Sequence, residues 1–316
     1  VRLREIVEVM RRHSTIHGVT PEKLRLILED LGPTYVKIGQ IMSMRSDMLP
    51  QKYCNELMKL RADVKPIEFS EVVQLIEEEY GMPIKEVFPE IEEKPLGSAS
   101  MAQVHIVKLK DGRKAVVKVQ RPHIKEIMAQ DIALMRKAAK LFEIIELSGD
   151  VIDFNSVIEE MWVVSKQEMD FLLEAKNCRE LAQLNADIAY IAFPEIIDSL
   201  TTSKILVMEY VDGIQIDHVQ ELTTLGYDMN EIGEKLAENY IKQVLDDGFF
   251  HADPHPGNVW IRDGKIVWLD LGMVGRLSNR DRLLFKNAVL AIVNNDIFEV
   301  KNMLLSLGTV KGKVNH

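Results

Sequence analysis

HADPHPGNVWIRDGKIVWLD, residues 251–270, decides how this chain is read. Asp253 and Asn258 stand five residues apart, and an Asp270-Leu271-Gly272 unit follows an apolar, strand-like run. Phosphoryl transfer from a nucleotide needs this set of groups. One carboxylate accepts or orients the proton of the attacking hydroxyl, while an amide and a second carboxylate hold magnesium against the phosphates.

The Asp-x4-Asn spacing equals that of the protein-kinase catalytic loop, and Asp270-Leu271-Gly272 stands where the metal-binding Asp-Phe-Gly would stand. Each half is weak alone; in this order and twelve residues apart they reinforce one another. Two other readings stay open here. His251, Asp253 and His255 form an HxDxH cluster that would suit zinc or iron in a metal hydrolase. That reading needs a second ligand cluster, and the remaining histidines fall in no HxH or HExxH arrangement. A turn and strand with structural polar residues is the third.

With 316 residues the chain has length for two lobes, each with its own core. The composition, 47% hydrophobic and 28% charged, is that of an ordinary globular protein. Cys54 and Cys178 lie far apart and outside any CxxC pair, which fits a reducing, cytoplasmic compartment. No apolar run approaches a membrane span. Residues 1–65 carry 12 Lys/Arg against 8 Asp/Glu, net +4, so the total of −10 leaves −14 for the remainder. The acidic bulk argues against nucleic-acid binding. The basic start reads as a solvated helical face, with peripheral contact at the inner face of an anionic membrane as the alternative.

Apolar spacing predicts helices over residues 1–30, with a Thr20-Pro21 start and a Gly32-Pro33 break, and another through Tyr35–Arg45. A further helix is expected from Ser70, as its cap, to Tyr80, stopped by Gly81 and Pro83. Val104–Leu109 and Ala115–Gln120 alternate like strands around Asp111-Gly112, a hairpin signal. Residues 123–147 and 154–185 read as two long helices, Lys204–Val211 as a strand, and Glu231–Asp247 and 280–307 as helical. The expectation is an α+β, bilobal protein kinase-like fold with a helical extension. Its parts would be the extension (1–90), an N-lobe with inserted helices (91–212) and a C-lobe (213–316).

Ala115-Val116-Val117-Lys118 ends an apolar strand with a lysine, close to the V-A-I-K pattern of a phosphate-binding lysine. No GxGxxG or GxxxxGK[ST] occurs, so a P-loop NTPase is excluded. In place of a glycine-rich loop stand Gly97-Ser98-Ala99-Ser100-Met101. Alanine and serine restrict the backbone where glycine would free it, so this loop should be stiff and hold phosphates differently. Trp162, Met161 and Met169 read as packing.

Taken together, Lys37-Ile38-Gly39-Gln40, the 97–105 loop, Glu168-Met169-Asp170, His251–Asn258 and Asp270-Leu271-Gly272 resemble the UbiB (AarF-type) atypical kinases. The resemblance spans nearly the whole chain. It implies an ATPase or kinase using ATP or ADP with Mg2+, bound between two lobes. By that resemblance Lys118 matches the phosphate lysine and Glu174 the glutamate that pairs with it. Asp253 matches the catalytic aspartate, and Asn258 and Asp270 the magnesium ligands. Lys37 and Gln40 would face Glu168 and Asp170 over the site, although Glu168 and Asp170 point to roughly opposite sides of a regular helix and converge only if it is distorted. Val207-Met208-Glu209-Tyr210 would join the lobes, its backbone holding adenine. Lys37 over the groove would exclude a bulky peptide, leaving water or a small, isoprenoid-lipid-like molecule as acceptor. The implied setting is ubiquinone or other isoprenoid-lipid biosynthesis, with lipid-biosynthesis proteins as partners. Rivals are a true small-molecule or protein kinase and a nucleotide-regulated pseudokinase scaffold. Only 46 residues follow Asp270 and no Ala-Pro-Glu motif appears among them, so either the C-lobe is reduced or the chain stops short of a C-terminal membrane anchor.

Overall fold

A computed structural model describes residues 2–13, 19–43, 46, 49–60, 65–144 and 154–307. The chain forms two compact units: Val1–Leu173 with Ile196–Tyr210, and Glu174–Glu195 with Val211–His316. In order, the elements are α1 (Arg2–Arg12), α2 (Pro21–Leu31), α3 (Pro33–Ser43), α4 (Gln51–Leu57), α5 (Phe69–Tyr80) and the single turn α6 (Ile84–Val87). Strands β1 (Glu90–Ile91), β2 (Gly97–Ser98), β3 (Ala102–Lys108) and β4 (Lys114–Gln120) come next, then helices α7 (Ile124–Ile144), α8 (Phe154–Glu168) and α9 (Phe171–Leu184). After them run β5 (Ile191–Ala192), β6 (Ile205–Glu209), β7 (Ile214–Gln215), α10 (Val219–Thr224) and α11 (Met229–Ile241). The chain continues through β8 (Phe249–His251), β9 (Val259–Arg262), β10 (Lys265–Trp268), β11 (Val274–Arg276), α12 (Asn279–Val293) and α13 (Ile297–Leu307).

The first unit is built on an antiparallel sheet ordered β1-β3-β4-β6, with β2 also on β3. Its inner face joins Val107, Ala115, Val117, Val119, Ile205 and Val207 to Val72 and Ile76 of α5 in one core. Alternation along β4 produces this: every second side chain meets the helix. The expected 1–90 extension belongs to the same unit. Ion pairs as well as apolar contacts fasten it there. Arg2 of α1 places Nε 2.6 Å and one terminal nitrogen 2.9 Å from the carboxylate of the fully buried Asp131 on α7. Arg25 reaches Glu56 at 2.9 Å. Part of the basic start is thus internal pairing rather than a solvated face.

Local chemistry explains the boundaries. Thr20 caps α2 by accepting the Lys23 amide, and Gly32, at φ 95°, turns the chain directly into α3. Gly81, at φ 69°, closes α5. Two expectations are corrected. Ser70 is not the cap of α5, which starts at Phe69 behind an extended Glu68 that makes no side-chain cap. The helix expected over 154–185 is two helices, broken at Met169-Asp170. Outside bonds hold that break: Gln120 donates to the Met169 carbonyl at 2.8 Å, and the Phe171 amide donates to Ser203 at 3.1 Å. The region 280–307 likewise divides at Asn294–Asp296. Residues 145–147 of the other long helix lie outside the described residues.

In the second unit, β5-β10-β9-β7 form one sheet and β11-β8 a two-stranded ribbon. Leu222, Ile232, Val259, Ile261, Ile266 and Trp268 make its core. No helix among the described residues is long and apolar enough to cross a membrane.

Gly39 shows why α3 needs a glycine. A Cβ there would come within 2.2 Å of Leu60 Cδ1 and 2.8 Å of Leu28 Cδ1. Gly39→Ala should therefore destabilise the protein by about 1–2 kcal/mol, overpacking outweighing the helix propensity gained. Gly233→Ala on α11, where a Cβ meets nothing within 4 Å, should stabilise slightly. Urea denaturation of both variants checks the opposite signs.

Candidate functional site

The β9–β10 hairpin builds the site in the second unit. Its two-residue turn, Asp263 and Gly264, has both φ values positive, at 50° and 74°, as this tight hairpin turn requires. That turn sets the register Arg262↔Lys265 through Val259↔Trp268. Residues just outside the last pair must then face each other, and the Leu269 amide donates to the Asn258 carbonyl at 2.8 Å. Asn258 and Asp270, twelve apart in sequence, become neighbours for this reason.

Asn258 is buried, and its Nδ2 donates to the Asp253 carbonyl at 3.1 Å. Its Oδ1 is left as an oxygen donor to a cation. Asp270 is exposed and sits at φ 52°, a left-handed conformation uncommon outside glycine, asparagine and aspartate. The Gly272 amide donates to its Oδ1 at 3.4 Å. Glu174 of α9 lies against the same turn: a Cβ on Gly272 would be 3.3 Å from Asp270 Oδ1 and 3.5 Å from Glu174 Oε2. Asn177, one turn along α9 and buried, donates to the Leu271 carbonyl at 3.1 Å. Asn258 and Asp270 offer hard oxygen donors, which fit magnesium completed by phosphate and water oxygens.

His251 is fully buried and its two nitrogens are taken. The Asp253 amide donates to Nδ1 at 3.1 Å, so Nε2 carries the proton given to the Leu269 carbonyl at 2.9 Å. A histidine so engaged is a brace for the 251–258 loop and offers nothing to a metal. Among the described residues, no group of three His, Cys, Asp or Glu side chains is placed to hold one. The HxDxH ligand reading is set aside on that bonding. Behind His251 runs a buried polar chain. Asn185 accepts from Asn239 at 2.7 Å, Asn239 accepts from Gln243 at 2.8 Å and from Trp268 at 3.0 Å, and Gln243 accepts the His251 amide at 3.1 Å. Gln243 reaches it from a π-helical turn, Lys242–Asp247, a distortion frequent beside functional sites.

The first unit holds the other expected residues. Lys118 lies on β4 between β3 and β6, its Nζ 5.3 Å from the centre of the Phe171 ring. Lys37 Nζ is 2.5 Å from Glu168 Oε1, with both side chains largely buried. Asp170 sits in the break after α8 and accepts the Leu172 amide at 3.1 Å, starting α9. Gln40 donates to the Leu60 carbonyl at 3.3 Å, which gives it a role in organising the extension. Glu209 closes β6 opposite Ala115, and the Lys114 ammonium stands 4.0 Å from the ring centre of Tyr210.

The 97–101 loop is a tight turn. Gly97 and Ser98 pair with Val104 and Gln103, and Ala99 donates to Ala102 at 2.8 Å. No residue of the turn needs a left-handed conformation, so alanine and serine suffice. One assignment is corrected: the Met101 side chain is in the core with Ile124, Met128 and Met169, so only its backbone can meet a ligand. Among the described residues neither the Ser100 nor the Met101 amide has a protein acceptor. Such buried amides want a partner, and adjacent amides suit an anion. Sequence reasoning quoted Gln103 within the 97–105 loop without giving it a role, and missed Arg121, Asn177 and the Asn185–Gln243 chain. The Gln120-Arg121-Pro122 end of β4 was the one visible signal.

A family model described as the ABC1 atypical kinase-like domain matches residues 59–304. The chain belongs to this family. It is 41% identical, over 99% of its length, to an uncharacterised protein from the hydrogenase 1 5′ region of Clostridium pasteurianum, spanning 61% of that protein. It is 35% identical over 89% of its length to ACTIVITY OF BC1 COMPLEX KINASE 8, chloroplastic, of Arabidopsis thaliana, spanning 37% of it. The ABC1 chain thus covers less than two thirds of these relatives. It covers 75% of an uncharacterised Synechocystis protein, at 36% identity. Rv3197 of Mycobacterium tuberculosis, solved with erythromycin, has the same kinase-like fold, with a TM-score of 0.65 at 24% identity over 92% of this chain and 73% of that one.

Burial holds both His251 and His105 below the usual imidazole range by disfavouring the charged ring. Unfolded, they titrate near 6.5. As pH falls through that value the unfolded state takes up protons that the folded state refuses. Their stabilisation is therefore complete above about pH 6.5 and is lost progressively in the acid window below it. Melting temperatures of wild type and His251→Asn across this window should show a flatter profile in the variant. Parallel profiles would contradict the neutral, buried assignment.

Proposed function

We propose that this ABC1 protein is an atypical kinase-fold ATPase that binds ATP or ADP with magnesium. The observation that carries the reading is the hairpin register that sets Asn258 beside Asp270 while Asn258 also holds the backbone of Asp253. Asn258 Oδ1 and the Asp270 carboxylate would hold magnesium, which neutralises phosphate charge when bound. Asp253, half-exposed, orients the attacking hydroxyl or water and takes its proton. By the family resemblance Lys118 offsets phosphate charge, and the amides of Ser100 and Met101 are suited to receive phosphate oxygens. Glu209 and Tyr210 contribute backbone to the adenine.

A preference for water or a small acceptor over a peptide rests on the family resemblance, whose motif residues Lys37 and Glu168 are paired in this chain. An isoprenoid-lipid acceptor or ligand, a role in ubiquinone or related lipid biosynthesis with the proteins of that pathway, and attachment at a membrane's inner face rest on the family resemblance.

Asp270→Asn is the decisive variant, because asparagine tolerates the left-handed φ and keeps the fold while removing the charge. Thermal shift with ADP, with and without magnesium, should show magnesium-dependent stabilisation in wild type and none in the variant. Equal stabilisation of both would sink the assignment.

A further inference from the structure

Arg121 follows the last residue of β4, immediately before Pro122, and is 9% exposed. Among the described residues its guanidinium makes no ion pair, although the Glu71 carboxylate favours its charge. Nε donates to the Ala99 carbonyl at 2.8 Å, and one terminal nitrogen donates to Ser98 Oγ at 2.7 Å and to the Lys65 carbonyl at 3.0 Å. Its backbone amide donates to Met101 at 2.9 Å. One side chain thus grips both the 97–101 turn and the segment that leads out of the helical extension. Gln103 repeats the connection. Fully buried, it accepts the Ile67 amide at 2.9 Å, donates to the Ile67 carbonyl at 3.2 Å and accepts from Ser98 Oγ at 3.4 Å. His105 fixes Gln103 in turn, 2.9 Å from its Nε2, while its other nitrogen meets the Glu92 carbonyl at 2.8 Å.

Arginine suits this place because its planar fork serves several acceptors in fixed directions; a lysine would serve fewer, without fixed geometry. Two consequences follow. The Ala99 carbonyl is held by Arg121 and the Ala99 amide by Ala102, so the orientation of the Ser100 and Met101 amides is set from behind the turn. The same guanidinium senses whether residues 65–67 are seated.

We propose that Arg121 is a positioning residue for the phosphate-receiving turn, and that with Gln103 it makes the geometry of that turn depend on the docking of the 65–67 segment. The extension is thereby coupled to nucleotide affinity at its exit. The proposal rests on the nucleotide reading of the loop, and two separate readouts keep the two apart.

Hydrogen–deuterium exchange on the full chain reads the tether without any ligand. Arg121→Met should speed exchange in 65–69 and 97–104 together, leaving 249–272 unchanged, with Arg121→Lys intermediate. ADP with magnesium is the probe for the second readout. Its Kd should rise about tenfold in Arg121→Met, as for loss of charge-assisted bonds, with partial rescue in Arg121→Lys. Should Arg121→Met fail to fold, Arg121→Lys carries the same comparisons. Loosening of the turn alone, with 65–69 still protected, would overturn the coupling. Coupled loosening with unchanged Kd would overturn the positioning role. Wild type that binds no ADP would remove the nucleotide reading, while the exchange result still decides the tether.

Discussion

Everything chemical in the second unit depends on the register of one hairpin. Asp263 and Gly264 adopt left-handed φ values that close β9 onto β10 with two residues and no slack. With four residues per strand, Asn258 and Leu269 must face each other, and Asp270 is the next residue out. A slip of one residue would turn every side chain of a strand to the other face. It would bury polar groups in the Trp268 core and separate the two oxygen donors. Packing energy and ligand geometry are therefore enforced by the same constraint.

Buried polar groups reinforce it. The Asn185–Asn239–Gln243–His251 chain satisfies each amide it removes from water and ends on a histidine whose nitrogens brace Asp253 and Leu269. Fully satisfied networks of this kind rigidify what they touch, and cutting one link leaves a neighbour unpaired at a cost of about 1–3 kcal/mol. The first unit uses the same device with charge: Arg2 on Asp131 ties α1 to α7, Lys37 on Glu168 ties α3 to α8, and Arg121 on three acceptors ties the 97–101 turn to Lys65.

Much of this was legible in the sequence. Asp111-Gly112 announces the β3–β4 hairpin within a longer 109–113 connection, Asp263-Gly264 announces a two-residue turn that few residue pairs accept, and the twelve-residue gap from Asn258 to Asp270 is what two short strands and a turn occupy. Thr20-Pro21 and Gly81 mark helix ends for equally local reasons. What escaped has non-local causes. Met169-Asp170 breaks a good helical pattern because Gln120 of β4 captures the Met169 carbonyl and Ser203, in the loop before β6, captures the Phe171 amide. Ser70 resembles a cap, yet the helix starts one residue earlier. Met101 looks like a loop residue but fills a gap beside Met128. The partners of Arg121 and Asn177 are mostly carbonyls, which every residue carries and no motif announces.

In the proposed centre Asp253 would handle the proton, while Asn258 and Asp270 would hold the metal. Steady-state phosphate release from ATP with magnesium, compared between wild type and Asp253→Asn alongside nucleotide affinity, tests that division most directly. Turnover should fall by at least about a hundredfold, as for loss of a general base, with nucleotide affinity retained. Equal turnover in the two proteins, with binding intact, would contradict the account.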